Sequence, residues 1–539
     1  MTASARNRWI GLACLALGLA MIIVDTSIVN VAVPRIITDL KITPSAAEWV
    51  NSSYALVFAA ALITLSRIGD IIGQRRLYMI GTSVFATASV LAALAPSGEL
   101  LIGARLLQGL GGAAMAPSTQ SIVNSTFRGK DRAIAFAIYG SVIGGMAALG
   151  PVIGGWLTTN ASWRWAFGVN LPIAIVAIVG TLLTVAETRT ERTNKGFDFG
   201  GVVLITLGLS GIVFGLIEGY TYGWWAPSTG FSSDAAWAWW PLADVSVVPV
   251  ALALGSLALV GFALYERARL RAKKTVLIDF TLFSIPTFRY GNIAGSIVSL
   301  GEFGLLFAVP LFLAAVQRYS AFETGLCFVP LALGSFIAAP MAPSLTKKFG
   351  ARRVVTLGMA LEAVGIGAIG LLISPQSTGL QLLVPFLIYG VGVGFATAQL
   401  ANVTLADVDI PRAGIASGTN STTRQIGSAL GIAIIGTTLF TLIGEPSRSA
   451  LEAIPELQTA PPSVINGIVE AMKSSAGQAL PFIGSDPMLA SDPALAAKIT
   501  DALAQAFADA ARGAGIVALI FVLFGLAASL ALPKEKATK

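Results

Sequence analysis

Apolar stretches of about twenty residues or more alternate with short polar connections from one end of the chain to the other. A helix needs about 20 mostly apolar residues to cross the hydrocarbon core of a bilayer. On that measure, spans are predicted near 9–33, 46–66, 77–96, 100–123, 132–158, 163–186, 199–219 and 245–265, then near 288–316, 324–346, 353–374, 380–403, 411–440 and 512–533. The predicted fold class is all-α integral membrane, with about fourteen transmembrane helices. Residues 1–187 form a first six-helix bundle, 188–287 an inserted helix pair with its linkers, and 288–539 a second six-helix bundle. The two bundles are expected to be related by pseudo-symmetry, because Lys347-Lys348-Phe349-Gly350-Ala351-Arg352-Arg353 echoes Asp70-Ile71-Ile72-Gly73-Gln74-Arg75-Arg76 after the second span of each half. Such repeats suit carriers that alternate access between two bundles. The long non-membrane stretch, about 441–510, is acidic and broken by prolines. It is expected to be an extracytoplasmic loop with short helices, the last running into the final span.

Arg6 and Arg8 ahead of an apolar run resemble a signal peptide. Trp9 to Val33 is too long for one, contains Asp25 and has no small-residue cleavage site, so it is read as the first span. Arg75 and Arg76; Arg128, Lys130 and Arg132; Arg189, Arg192 and Lys195; Arg267 to Lys274; Lys347 to Arg353; and Lys534, Lys536 and Lys539 all fall in connections on one side. By the positive-inside rule that side is cytoplasmic and both termini lie there. The opposite connection 220–244 has no basic residue but holds Trp224, Trp225, Trp237, Trp239 and Trp240, which read as interfacial anchors.

Composition agrees with a lipid environment. The 539 residues are 55% hydrophobic and 12% charged, with mean hydropathy +0.78. That is about half the charge of a soluble domain. The net charge of +7 is explained by topology, and no continuous basic stripe points to nucleic acid. Cys14 and Cys327 lie in apolar runs without disulfide or zinc spacing. The absence of histidine leaves carboxylates as the groups for proton chemistry near neutral pH. Gly365 to Gly370 satisfies a dinucleotide fingerprint but lies inside an apolar span, not after a strand. With no phosphate-binding loop, metalloprotease motif or nucleophile elbow, neither enzymatic activity, a cofactor nor a metal is expected.

Four stretches carry candidate chemistry. Asp25 lies in the first span, where a carboxylate is costly unless it faces protein or water, or is protonated. It is a functional candidate, or a carboxylate merely hydrogen-bonded to Thr26 or a neighbouring helix. Gly69-Asp70-Ile71-Ile72-Gly73-Gln74-Arg75-Arg76 makes a tight turn, in which Asp70 caps a helix or pairs with an arginine. Arg105-Leu106-Leu107-Gln108-Gly109 puts a fixed cation in an apolar run, where it needs an acceptor or snorkels to the interface. Gly145, Gly150-Pro151 and Gly154-Gly155 allow close helix approach and a bend.

Together and in this order, these stretches resemble the major facilitator superfamily, most closely its fourteen-helix drug/proton antiporter family. Trp163 to Pro172 resembles the start of that family's sixth span, and Arg412 to Gly418 with Arg424 to Gly427 its thirteenth. The resemblance implies proton coupling at Asp25 and Arg105, and a gating loop of Gly69, Asp70, Gly73, Arg75 and Arg76. In that loop Asp70 would face the thirteenth span near Pro411 to Gly414. It also implies an antiporter motif of Gly145, Gly150, Pro151, Gly154 and Gly155. Ser66 stands where the loop motif usually has glycine. Glu302, in the first helix of the second bundle, is the candidate partner of Asp25; Glu218 and Glu362 are weaker ones.

Tyr54, Met115, Gln120, Phe303, Phe307, Gln399 and Asn402 are candidate cavity contacts, with packing or lipid-facing roles as the alternative. The expected function is proton-coupled export of small amphipathic or cationic compounds across a bacterial plasma membrane, by a monomer whose partners are substrate, protons and membrane lipid. A lipid or glycolipid translocase, and a non-transporting membrane sensor, are the alternatives.

Overall fold

The computed structural model describes residues 5–533 except 43, 189–197, 229–238, 243, 273, 275, 410–411, 459–460, 475–476, 478 and 486–491. The expectations for Arg189, Arg192, Lys195, Trp237, Lys273, Pro411 and the three C-terminal lysines fall outside these residues. So do those for the side chains of Lys130, Pro151, Phe303 and Phe307, and for Gly414 beyond its place in a helix.

Among the described residues the regular elements are all helical. The first bundle comprises α1 (Ala5–Leu40), α2 (Pro44–Ile72), α3 (Gln74–Ala93), α4 (Gly98–Thr126), α5 (Gly129–Asn160) and a sixth span made of α6 (Trp165–Gly168) and α7 (Asn170–Thr184). The inserted pair is α8 (Phe199–Tyr222) and α9 (Val247–Arg271). The second bundle comprises α10 (Pro286–Ala315), α11 (Ala321–Phe349), α12 (Ala351–Leu372), α13 (Gly379–Thr404), α14 (Ala413–Glu452) and α16 (Pro493–Ser529), with α15 (Pro462–Ser474) before the last. Among the described residues nine helices are long and apolar enough to cross a membrane, or ten when α2, bent by 52° between Ser53–Leu62 and Thr64–Ile72, is counted as one span.

Local chemistry sets the breaks. Gly73 (φ 109°) and Gly350 (φ 84°) sit in the left-handed region between the second and third helix of each half, where a Cβ is disfavoured. The internal echo in the sequence is therefore the same turn used twice. Ser97 caps α4, and Ser320 with Glu323 forms a capping box on α11. Thr378 with Gln381 does the same on α13. These caps satisfy amide donors that a helix start leaves open.

The inner faces are small and apolar, so helices approach closely. A Cβ on Gly365 of α12 would stand 2.6 Å from Tyr389 Cβ of α13, and one on Gly211 of α8 2.9 Å from Gly255 of α9. The outer faces are large and apolar. Leu357, Val364 and Leu371 on α12 repeat every seven residues and are exposed, as are Ile175, Val179 and Leu183 on α7. A soluble protein would bury such stripes; lipid covers them here.

The bundles meet through α5 against α11 and α13, and α2 against α14. The inserted pair lies at this seam, with α8 touching both α2 and α14. One part of the span reading needs correcting. The loop expected from 441 starts later, because α14 runs on to Glu452. At 40 residues, α14 is about 60 Å long, twice the hydrocarbon thickness. Its overhang is held by apolar packing: Leu451, Ile454, Leu457, Ile465, Val469, Met472, Ile499, Leu503 and Phe507 are buried in one cluster continuous with the bundle core.

Candidate functional site

The first bundle encloses a polar knot. Asp25 of α1 and Arg105 of α4 are both fully buried and form a direct ion pair between Asp25 Oδ2 and Arg105 Nη1. The other carboxylate oxygen accepts from Gln108 Nε2 at 3.1 Å and from Asn170 Nδ2 of α7 at 2.8 Å. Ser89 Oγ of α3 accepts from the same two amides, at 2.8 Å and 3.2 Å, while donating to its own helix at Phe85 O. Arg105 Nε donates to the carbonyl of Val50 on α2 at 2.9 Å, and Nη1 to Gln108 Oε1 at 2.9 Å. Its guanidinium carbon stands 4.3 Å from the centroid of the Tyr54 ring. Five helices thus contribute to the knot, and α4 and α7 donate to the carboxylate itself.

This placement is between helices of one bundle. Arg105 does not snorkel, and Asp25 has partners well beyond its own turn. Ser89 and Asn170 were missed as members of the knot. Their signal in the sequence was a lone polar side chain within an apolar run, which becomes meaningful only when such positions on several helices converge.

The loop after α2 is held by an anion that sequence reasoning did not single out. Glu187, just past α7, accepts from the backbone N–H of Arg75 at 3.0 Å and of Arg76 at 3.2 Å. These are open donors in the first turn of α3, where the helix dipole favours negative charge. Arg75 Nη2 donates to the carbonyl of Leu182 at 2.9 Å, and a Cβ on Gly73 would collide with the Glu187 carboxylate. Asp70 does not cap α3. It accepts from Gln74 Nε2 at 2.9 Å and faces Arg67 at 3.6 Å. The contact of this region with α14 runs through Ser66, whose side chain fills the space beside Gly418. Gly69 gives room to the Gln74 side chain.

The glycines of α5 split between two neighbours. Gly150 faces Ser27, and Gly154 faces Ile28 with 3.1 Å from its ideal Cβ to Ile28 Cα, so both serve the α1 contact inside the first bundle. Gly145 faces the Phe336 ring of α11 in the second bundle. Gly155 is buried.

The candidate cavity residues scatter. Tyr54 and Met115 pack in the core of the first bundle. Gln120 joins the bundles: its Nε2 donates to Asn420 Oδ1 at 3.0 Å, and its Oε1 accepts from Ser421 at 3.1 Å. Asn420 continues to Asn292 at 3.1 Å. Asn402 accepts from Arg132 Nε of α5 at 3.2 Å, again across the bundles. Gln399 is buried and has no hydrogen-bond partner among the described residues. Glu302 of α10 and Glu362 of α12 are buried within the second bundle. Glu218, near the end of α8, is buried too.

Two helix bundles, the first enclosing the buried Asp25–Arg105 pair, make a carrier fold, and comparison with known proteins agrees. A sequence profile of the Major Facilitator Superfamily matches residues 15–432. The chain is 31% identical over 454 residues to the "Probable actinorhodin transporter" of Streptomyces coelicolor, covering 83% of this chain and 75% of that protein. It is 30% identical to the "Multidrug resistance protein Stp" of Mycobacterium tuberculosis H37Rv, over 84% and 80%. It is 29% identical to the "Multidrug efflux pump LfrA" of Mycolicibacterium smegmatis, over 97% and 95%. The solved structure of the human organic anion transporter MFSD10 (TETRAN) superposes with a TM-score of 0.54 at 12% identity, over 96% of this chain and 99% of that one; this likeness concerns the fold. The chain belongs to the Major Facilitator Superfamily and is a multi-pass membrane transporter.

Proposed function

We propose that this protein exports small amphipathic or cationic compounds, including drugs and antibiotics, in exchange for protons, by alternating access across a bacterial plasma membrane. Its relatives' names support the export of such compounds. The observation that carries the proton half is the buried Asp25–Arg105 pair, held from five helices. An arginine stays charged in practice, so a proton arriving at Asp25 removes the attraction that holds Arg105 against α1. The donors of Gln108 and Asn170 then lose an anionic acceptor. The contacts of α1 with α4 and α7 weaken together, and Gly150 and Gly154 let α1 shift against α5 with little steric resistance.

Cytoplasmic termini follow from the charge of the connecting loops, and a single chain contains both bundles, so a monomer suffices. On this orientation the Gln120–Asn420 and Arg132–Asn402 bonds close the cytoplasmic side, and their rupture opens it. Glu302 supplies the second bundle's carboxylate. The test is substrate-induced proton release in liposomes with a pH dye, using tetraphenylphosphonium as the cationic probe, alongside uptake of labelled probe into inside-out vesicles. Asp25→Asn is expected to abolish proton-driven uptake while leaving the protein in the membrane. Unchanged uptake in that variant refutes the coupling role of Asp25.

A further inference from the structure

The arginines at and near the seam are mostly satisfied. Arg105 pairs with Asp25, Arg132 donates to Asn402 and Asn124, and Arg412 pairs with Asp279 and Asp409. Arg424 of α14 is different. It is half-buried, and among the described residues its guanidinium has no hydrogen bond and no ion pair. Its field reaches Glu302 and Glu362, yet neither forms an ion pair with it. A guanidinium keeps its proton in practice and presents five donors, so holding one away from bulk water without an acceptor is costly.

The helices place this cation immediately behind the Gln120–Asn420 latch. Asn420 is one turn nearer the start of α14 and bonds both Gln120 of the first bundle and Asn292 of α10; residues four apart share a helix face. The stem of Arg424 lies in a groove that Gly295 leaves open on α10. Its Cγ and Cδ stand 3.7 Å and 4.0 Å from the ideal Cβ of that glycine, and Leu400 of α13 lies 3.5 Å from the same point. The first bundle faces it with Tyr139. That residue is seven places after Arg132 and so on the same face of α5, the face that meets Asn402 of α13. Tyr139 is 6% exposed and belongs to an apolar cluster with Ala401, Leu405 and Ala416 of the second bundle. The Phe136 ring meets it edge-on at 6.1 Å. Its hydroxyl has no hydrogen bond among the described residues, and the charge of Arg424 reaches it.

A fixed cation and a hydroxyl, brought in from opposite bundles, are therefore both donors without acceptors, and their surroundings are apolar and aromatic. We propose that Arg424 and Tyr139 form a binding site for amphipathic aromatic carboxylates, with the carboxylate across the arginine fork, the tyrosine hydroxyl donating to it, and the apolar body against Leu400 and Phe136. A planar guanidinium suits a carboxylate through two parallel hydrogen bonds, whereas a cationic compound would meet a like charge there. An occupant would bridge α5 and α14 one turn behind the latch, so its arrival and the opening of the cytoplasmic side are linked. The site deepens the export reading above by naming an anionic class of cargo; it rests on that reading for the direction of movement and not for the binding.

The test is isothermal titration calorimetry on the full-length protein in nanodiscs of phosphatidylcholine alone, which offers no anionic headgroup. The probes are 1-naphthoate and the neutral 1-naphthamide. Wild type is expected to bind naphthoate at least about tenfold more tightly than naphthamide. Arg424→Gln should weaken naphthoate about thirtyfold or more and leave naphthamide unchanged. Arg424→Lys keeps the charge but not the fork and should fall between the two; it decides the matter should Arg424→Gln fail to fold. Tyr139→Phe should weaken naphthoate about fivefold. Equal affinity for the two probes in wild type, or wild-type naphthoate affinity in the Arg424 variants or in Tyr139→Phe, overturns the site. Naphthoate binding that depends on Arg424, in a protein that moves neither naphthoate nor protons in liposomes, upholds the site and rejects export of that anion. Proton-driven uptake of tetraphenylphosphonium by a protein that does not bind naphthoate rejects the site and leaves antiport standing.

Discussion

Removing Arg105 tests whether the knot in the first bundle is an electrostatic lock or ordinary packing. In Arg105→Met the side-chain volume is largely kept. Asp25 loses its ion pair with Arg105, Val50 O loses its donor, and the Tyr54 ring loses its cation. Breaking a buried pair from one side costs about 3–5 kcal/mol, because the surviving charge is stranded. Here Gln108 and Asn170 still donate to Asp25, which places the loss at about 3 kcal/mol. Asp25→Asn in the Arg105→Met background removes the stranded charge. It leaves the losses at Val50 and Tyr54, about 1 kcal/mol together. The double variant should therefore recover about 2 kcal/mol over Arg105→Met, roughly thirtyfold in the folding equilibrium. Denaturant unfolding of the purified protein in detergent, followed by tryptophan fluorescence, measures this. A double variant no more stable than Arg105→Met refutes the view that charge compensation governs this site. Transport should be absent from both variants, which separates stability from coupling.

Two further outcomes follow from the seam between the bundles. Asn420→Ala breaks the one bond it makes across the seam, to Gln120, at about 1 kcal/mol, as well as a bond to Asn292 within the second bundle. It should shift the carrier toward the state open at that end by up to about fivefold. The readout is the rate at which a membrane-impermeant maleimide labels Ser66→Cys, in a background where Cys14 and Cys327 are alanine; an unchanged rate refutes the latch. Gly145→Leu drives a side chain into the Phe336 ring, an overpacking of about 1–3 kcal/mol. Export should fall sharply and be partly restored by Phe336→Ala. Wild-type export in Gly145→Leu would show that the two bundles do not meet closely there during the cycle.

The spans, the paired bundles and the inserted helices were legible in the sequence because each rests on a local quantity. Twenty apolar residues in a row have few options but to cross a bilayer. A glycine between a basic pair and a helix end marks a turn whichever half it occurs in, as Gly73 and Gly350 demonstrate. Asp25, Arg105 and Glu302 stood out because a charge in an apolar run is expensive wherever it sits. The length of α14 was not legible. Gly444 to Glu452 is polar enough to read as a loop and becomes helical only because α15 and α16 cover its apolar face. What tertiary structure decided was partnership. Ser89, Asn170 and Glu187 are unremarkable one at a time. They matter because separate helices bring them to the Asp25 carboxylate and to the first turn of α3, over separations of up to 145 residues. Gln120 and Asn402 looked like groups awaiting a substrate, and the fold uses them to join the bundles. Periodicity and charge are properties of neighbours along the chain. Which buried donor meets which acceptor is set by how the helices pack.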